Sequence, residues 1–361
     1  MLKQKLLQAL GSNLNANHAR LKNLSLLVSA VLLHRTVNLV VLATTPDGKP
    51  TSNESRYRRF QDFFKSFQLC LPSVGRIVLS RIPKPTTGYL LAMDRTNWQF
   101  GRRDINFLVI AIVVGTVSVP IVWTVLPKKT KRGNSNTKQR IALAKALLKL
   151  MPATDIEALT MDREFVGRKW LKWLDAQRVG YVVRIKKNVI VGKHLADDLA
   201  RRRGPKPTGL QEVFGLRLYF ANKSMKAGGR ATRLLVVSNR FQGQKALELY
   251  RRRWGIERLF GHLKKKGFDL EATHMTEGAK LEKLFAVVVL AFLFSFSWGC
   301  HLRATGCRVS RQSKRKSLFR LGLEDILKLL NLPSEKSSRS EELKEFLHWL
   351  KHPKTDSIFL V

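Results

Sequence analysis

Two aspartates and one glutamate carry the chemistry this sequence offers. Asp94 stands in AMDRTNW and Asp162 in TMDREF, each at the end of a run that reads as a β-strand, while Glu257 stands in YRRRWGIERLFGHLK, which reads as a helix. Three carboxylate donors suit hard Mg²⁺, which keeps several waters and takes its remaining ligands from substrate phosphate. Two such ions about 3.5–4 Å apart would clamp the attacking and leaving oxygens of an in-line phosphoryl displacement. Taken singly, each acid is weak evidence, and an Asp followed by Arg is more often a surface ion pair or a strand-end cap. The sharper signal is the company Glu257 keeps. Tyr250, Arg253, Glu257 and Lys264 fall within roughly a 60° arc of one helix at about 100° per residue. That stripe would present a stacking ring, a bidentate fork, a metal-binding carboxylate and a point charge to one strand of DNA. The plain alternative, a solvated basic face, accounts for Arg251 and Arg252 but poorly for a lone acid within the stripe.

Charge points the same way. The 361 residues hold 66 Lys and Arg against 26 Asp and Glu, a net charge of +40. Self-repulsion on that scale calls for a polyanionic partner. The basic residues are spread along the chain rather than gathered in one block, which favours nucleic acid over an anionic membrane surface. Cys70, Cys300 and Cys307 form no CxxC pair, which speaks against a zinc site or disulfide framework and for a reducing cytoplasm. The N-terminus lacks the apolar core of a signal peptide. The apolar run 105–126 is β-branched and broken by Gly115, Ser118 and Pro120, so it reads as two buried strands. The stretch 284–298 is short for a membrane span and reads as a buried core helix. No phosphate-cradling G-x-x-x-x-G-K-[ST] motif and no Ser-His-Asp arrangement stands out. His262 and His274 read as surface or core residues rather than ligands.

The elements that must position these groups follow from periodicity. Residues 1–85 read as a separate helical, DNA-binding region, with amphipathic stretches at 2–10 and 21–43. A further helix has Ser55 as a candidate cap and carries Arg56, Arg58 and Arg59 beside aromatics, suited to DNA backbone contact or to a solvated face. From Gly88, GYLLAMD, INFLVIAIVV and VSVPIVWTVL form an antiparallel meander. A helix from Asn136 or Thr137, a fourth strand at IEALTMD, a helix at VGRKWLKWLDAQRV and a fifth strand at YVVRIKK complete the order of an RNase H-like α/β fold, a mixed sheet flanked by helices. Its first and fourth strands are neighbours, so Asp94 and Asp162 can face one cleft. The expected organisation is a helical region 1–85, a catalytic domain 86–187 and 241–300, a β-rich insertion 188–240, and a basic helical C-terminal region 301–361 for DNA contact or dimerisation. The signature helix is expected from about Gln244 to Lys266, stopped by Gly267.

The sequence also resembles a known family. Tyr250, Arg253, Glu257 and Lys264 match at every position the Y-x2-R-x3-E-x6-K hallmark of insertion-sequence DDE transposases. The longer run YRRRWGIERLFGHLKKKGFDLEATH, the segments AMDRTNW and MDREF, and SLFRLGLEDIL at 317–327 are similar to the family's recurrent stretches, covering roughly 85–330. The resemblance implies that Asp94, Asp162 and Glu257 bind catalytic Mg²⁺, with Mn²⁺ as a substitute. It implies that Tyr250, Arg253 and Lys264 hold phosphates at the transposon end. Trp254 is either a platform for a flipped base or a core residue, and the same choice applies to Trp98 and Trp123, for which core packing reads better. Further implications are double-stranded DNA as partner, both as transposon ends and as target, and a homodimer in the DNA complex. Cut-and-paste movement through a hairpin and a cytoplasmic, nucleoid-associated location without a membrane role complete the expectation. An RNase H-like nuclease without strand transfer and a catalytically inactive DNA-binding derivative remain as alternatives.

Overall fold

The computed structural model describes residues 14, 16–48, 50–127, 134–204, 209–227, 230–306, 315–331 and 341–351. They fall into two compact units, one of Lys84–Thr96 and Asn106–Arg258, the other of Met1–Pro83, Asn97–Ile105 and Leu259–Val361.

The first unit is built on an eight-stranded sheet. Strands β1 (Tyr89–Phe100), β2 (Arg103–Val114) and β3 (Val117–Val125) come first, then β4 (Ile156–Met161) and β5 (Tyr181–Arg184). The order in the sheet is β3-β2-β1-β4-β5, with β4 parallel to both β1 and β5. β2 is buried from Ile105 to Val114, which is why it reads as a continuous apolar run rather than an alternating one. Gly115 (φ 56°) turns it into β3, an edge strand on which Pro120 pairs with Ala111 beside a register shift. An edge and a bulge are where a residue without an N–H does least harm to a ladder. Helices α5 (Thr137–Leu148) and α6 (Arg168–Ala176) flank this part, and α5 starts in a capping box made by Asn136 and Gln139.

Residues 188–240 extend the same sheet. After a small hairpin (β6 Ile190–Val191, β7 His194–Leu195) and α7 (Ala196–Arg203), strands β8 (Leu210–Val213), β9 (Leu216–Ala227) and β10 (Arg230–Ser238) continue the order as β5-β10-β9-β8, all antiparallel. The helix α7 was not expected from the strand-like periodicity around it. Its Asp197 and Asp198 in the first turn and Arg201, Arg202 and Arg203 in the last match the helix dipole.

The second unit is helical: α1 (His18–His34), α2 (Leu39–Leu42), α3 (Asn53–Ser66), α4 (Leu71–Arg81), α10 (Gly278–Thr305), α11 (Leu318–Leu330) and α12 (Glu341–Lys351). The described N-terminal helices fall in the same compact unit as the described residues of 259–361. The cause is α10, apolar on every side, which needs cover all round. It is long and apolar enough to cross a membrane, yet 94% of its most apolar window is buried within the protein, as in a core helix. The amphipathic stretch 2–10 and the basic run 307–314 lie outside the described residues.

Two details correct the expectations for α3. Ser52, not Ser55, caps it, its side chain accepting from the Ser55 N–H at 3.1 Å. Arg56 is buried and donates to the carbonyls of Ala43 (2.7 Å) and Thr51 (2.6 Å), and Arg59 pairs with the buried Asp47 at 2.6 Å. Both hold the loop ahead of the helix, which leaves Arg58 as the exposed member of the three.

α10 and α11 touch through glycine. A Cβ on Gly322 would lie 1.9 Å from the Ser295 carbonyl, and one on Gly299 would lie 1.8 Å from that of Leu318. Neither carbonyl can yield without moving a helix. Gly322→Ala is therefore expected to destabilise the chain by about 1–3 kcal/mol, the usual cost of overpacking. Urea unfolding measures it, and an unchanged midpoint would show that the helices are not in backbone contact.

Candidate active site

The parallel pairing of β1 and β4 runs to Met93 opposite Met161. Asp94 and Asp162 are the next residues on each strand. The two carboxylates therefore sit side by side just past the carboxyl end of the parallel β1–β4 pairing, where a crevice can open between the strands. β1 itself continues to Phe100, so Asp94 lies inside a strand and not at its end. What ends at Met93 is the pairing with β4.

The signature residues come from two helices, not one. α8 (Gly243–Arg252) stops, Arg253 and Trp254 form a tight turn, and α9 (Gly255–Leu263) begins. Shortened i→i−3 bonds carry the turn: Arg253 N–H to the Tyr250 carbonyl at 3.0 Å, Ile256 to Arg253 at 3.0 Å and Glu257 to Trp254 at 3.2 Å. Gly255 sits where a Cβ would come within 3.0 Å of the Val117 carbonyl carbon and of the Ser118 hydroxyl, so the start of α9 passes close over the start of β3. A break made by tightened backbone bonds, without proline, leaves apolar periodicity almost intact. That is why one continuous helix was expected.

The break sends Arg253 inward. Its side chain is 7% exposed and its guanidinium forks between two acids, Nη1 donating to Asp94 Oδ2 at 2.8 Å and Nη2 to Glu257 Oε1 at 2.6 Å. The Tyr250 hydroxyl donates to Asp162 Oδ1 at 3.2 Å, and Arg184 lies 3.8 Å from the same oxygen. Burial works against the charge on Arg253, but Tyr250, Asp94 and Glu257 outweigh it and hold its pKa above the ordinary value. Burial pushes the Tyr250 phenol up to about 12. Five of the seven residues singled out from the sequence are thus linked in one network: Asp94, Glu257 and Arg253 directly, Asp162 and Tyr250 beside them.

Glu257 reaches Asp94 only through Arg253. Among the described residues, no group of three or more His, Cys, Asp or Glu side chains is arranged to hold a metal ion. The fit must be judged on the donors present. Asp94 and Asp162 are hard oxygen donors on adjacent strands. Burial raises the Asp94 carboxyl to about 6, opposed by Arg253 and the Arg95 N–H, and the negative charges of Glu164 and Asp162 add to the rise. A cation would relieve that repulsion, so the pair fits a divalent ion. Glu257 would join it on release from Arg253.

The raised carboxyl has a consequence for stability. The folded chain holds the Asp94 proton more tightly than the unfolded chain does, so this group weakens folding as pH rises from about 4 through 6. Asp94→Asn removes that contribution while keeping an acceptor for Arg253. The variant is expected to gain stability relative to wild type between pH 4.5 and pH 7 in metal-free buffer. Denaturant midpoints at the two pH values check this; a gap that does not widen would mean Asp94 is not strained when ionised.

The other sequence candidates lie apart from this network. Trp254 is 56% exposed, so it is not a core residue. It lines a cleft of about 500 Å³ with Arg251, Arg252, Arg258 and the Gly115–Thr116 turn. Trp98 and Trp123 are buried, as core packing requires. Lys264 belongs to the helical unit, where it donates to the Asn97 carbonyl at 2.8 Å and pairs with Glu271 at 3.0 Å. His262 packs against Phe292 and Phe319, and His274 stacks on Phe100.

Four charged residues beside the acids escaped the sequence reading. Arg95 follows Asp94, Glu164 lies two residues past Asp162, and the two pair at 2.5 and 2.7 Å. Arg184 ends β5. Arg140 on α5 is buried and donates to the Glu164 carbonyl at 3.0 Å. The available signal was charge clustering, Asp-Arg after one strand and Asp-Arg-Glu after another, and it gives no pairing by itself.

Comparison with known proteins adds one result. A family model described as transposase DDE domain matches residues 81–294. No curated protein matches the chain.

Proposed function

Since the chain belongs to the transposase DDE domain family, whose members are metal-dependent polynucleotidyl transferases acting on DNA, we propose that it binds the ends of its own insertion sequence, cleaves them and joins the 3′-OH to target DNA. The observation that carries this reading is the placement of Asp94 and Asp162 one position past the same paired register, with Tyr250 and Arg253 hydrogen-bonded to them. A nuclease needs the acids. The Tyr and Arg on top of them suit a site that keeps hold of a DNA end between cleavage and joining. The complete Y-x2-R-x3-E-x6-K pattern at Tyr250, Arg253, Glu257 and Lys264 supports membership of the insertion-sequence branch that bears it.

Asp94, Asp162 and, once free of Arg253, Glu257 would hold Mg²⁺ or Mn²⁺. The ions would supply Lewis-acid stabilisation of the attacking and leaving oxygens of phosphoryl transfer. The protein's own groups do the rest. Arg253 presents a planar fork matched to two phosphate oxygens as well as to two carboxylates. An incoming phosphate competes for that fork and so frees Glu257. Tyr250, kept neutral by burial, donates its O–H and orients Asp162. Trp254, exposed among Arg251, Arg252 and Arg258, offers a stacking face to a base. A point charge from Lys264 to the backbone rests on the family resemblance alone.

The net charge of +40 supports double-stranded DNA as the partner, at both the element ends and the target. A homodimer on the DNA, a hairpin intermediate and a nucleoid-associated, cytoplasmic setting complete the proposal; they rest on the family resemblance alone. The direct test is cleavage of a duplex carrying the element's terminal repeat and flanking DNA. A new 3′-OH at the element boundary is expected in Mg²⁺ and none in EDTA. Absence of any end-specific nick in Mg²⁺ or Mn²⁺ would overturn the reading.

A further inference from the structure

Each proposed metal-binding aspartate is followed by one half of an ion pair that joins the two strand ends. Arg95, next to Asp94 on β1, makes a fork to Glu164, two residues beyond Asp162, with Nε to Oε1 at 2.5 Å and Nη2 to Oε2 at 2.7 Å. The backbone on both sides is tied down. The Arg95 N–H donates to Asp94 Oδ1 at 2.8 Å, so the residue that carries the fork also fixes the carboxylate beside it. On the other side the Phe165 N–H closes a turn onto the Asp162 carbonyl at 2.9 Å, and the Phe165 ring is fully buried. Arg140 caps that turn, donating to the carbonyls of Glu164 (3.0 Å) and Ser135 (2.6 Å) with its guanidinium over the Phe165 ring. A further bond from Arg95 Nη2 to Asn134 Oδ1 at 3.0 Å holds the guanidinium plane. The pair is 16% and 22% exposed, sheltered enough to be worth more than a surface ion pair.

We propose that the Arg95–Glu164 ion pair is a strut that sets the spacing of the Asp94 and Asp162 carboxylates, making both its members positioning residues for divalent-cation binding. The inference rests on the metal role given above to Asp94 and Asp162. β1 and β4 stop pairing at Met93 and Met161, so beyond them no ladder bond holds the strands at a fixed distance. Two carboxylates repelling each other at that point would spread. The strut opposes the spread with a fork across residues 69 apart in sequence.

A double-mutant cycle on the full-length chain, read by Mn²⁺ binding, separates the strut from simple electrostatics. Glu164→Gln removes a negative charge near the cation, and Arg95→Met removes a positive one. Charge alone would weaken binding in the first and tighten it in the second. A strut weakens both, by roughly tenfold as outer-shell partners of metal ligands do. Arg95→Met/Glu164→Gln is then expected to be no weaker than either single variant, because each breaks the same link. If Arg95→Met does not fold, Arg95→Lys takes its place in the cycle and is expected to show part of the loss. Tighter or unchanged binding in the Arg95 variant, or additive losses in the double, overturns the strut. Asp94→Asn is the control that separates the two claims. If it loses Mn²⁺ binding while the strut variants keep theirs, the strut alone fails. If it too binds Mn²⁺ as wild type does, the metal assignment fails with it.

Discussion

Asp162→Asn is expected to abolish end cleavage, with a loss on the order of 10³-fold or more, while the variant still binds the same DNA end within about threefold of wild type. Lewis-acid stabilisation at a transferring phosphate is worth several kcal/mol, and each factor of ten in rate corresponds to about 1.4 kcal/mol. The substitution is nearly isosteric and leaves an amide oxygen to accept from the Tyr250 hydroxyl, which now donates to Asp162 at 3.2 Å. Its other contact, Arg184 at 3.8 Å, is a partly exposed ion pair of small worth. The fold should therefore survive and the chemistry should not. Gel-shift and cleavage assays on one end duplex measure both. Equal cleavage by the variant would remove Asp162 from the catalytic set.

The second large effect is at Arg253. Its side chain is 7% exposed, and the guanidinium spans Asp94 and Glu257. Arg253→Ala leaves the half-buried Asp94 without a counter-charge. Breaking a fully buried pair from one side costs about 3–5 kcal/mol, so for this partly exposed pair a loss at the low end, about 2–3 kcal/mol, is expected. The cost should depend on pH in a definite sense. Asp94 already titrates near 6 with Arg253 in place, and losing the cation raises it further. At pH 5 the lone carboxyl protonates and the penalty shrinks. At pH 8 it is charged, and the penalty is full. Urea unfolding at the two pH values is the measurement. A loss of stability independent of pH would mean the guanidinium acts by packing and not by charge. Arg253→Lys is expected to recover a minority of the stability, since one ammonium cannot fork between two acids.

The sheet was legible because burial leaves a trace in each strand on its own. The doubly buried run of β2, the turn at Gly115 and the Asp that closes each of AMD and TMD are all local patterns, and they led to strands β1–β5 in the right sequence and to Asp94 beside Asp162. Pairings made across distance left no such trace. The Arg95–Glu164 fork, the caps donated by Arg140 and the shared unit of the N-terminal helices with α10 depend on residues far apart in the chain. Apolar periodicity does not encode which charge meets which. The turn at Arg253 and Trp254 was hidden for another reason. Its tightened bonds keep the helical rhythm while redirecting one side chain, so the spacing of Tyr250, Arg253 and Glu257 reads as a single stripe although two helices carry it. Arg253 was expected to face DNA phosphate; in this structure it faces Asp94 and Glu257 instead. The two placements agree if carboxylates hold the fork until phosphate replaces them.

The most direct test is joining. A duplex with the element's end precut to expose its 3′-OH is incubated with the protein, Mg²⁺ and a supercoiled target plasmid. The account predicts a covalent end–plasmid product that requires the divalent ion and is lost in Asp94→Asn, Asp162→Asn and Glu257→Gln alike. Plasmid nicking without any joined product would contradict it, leaving a metal-dependent nuclease in place of a strand-transfer enzyme.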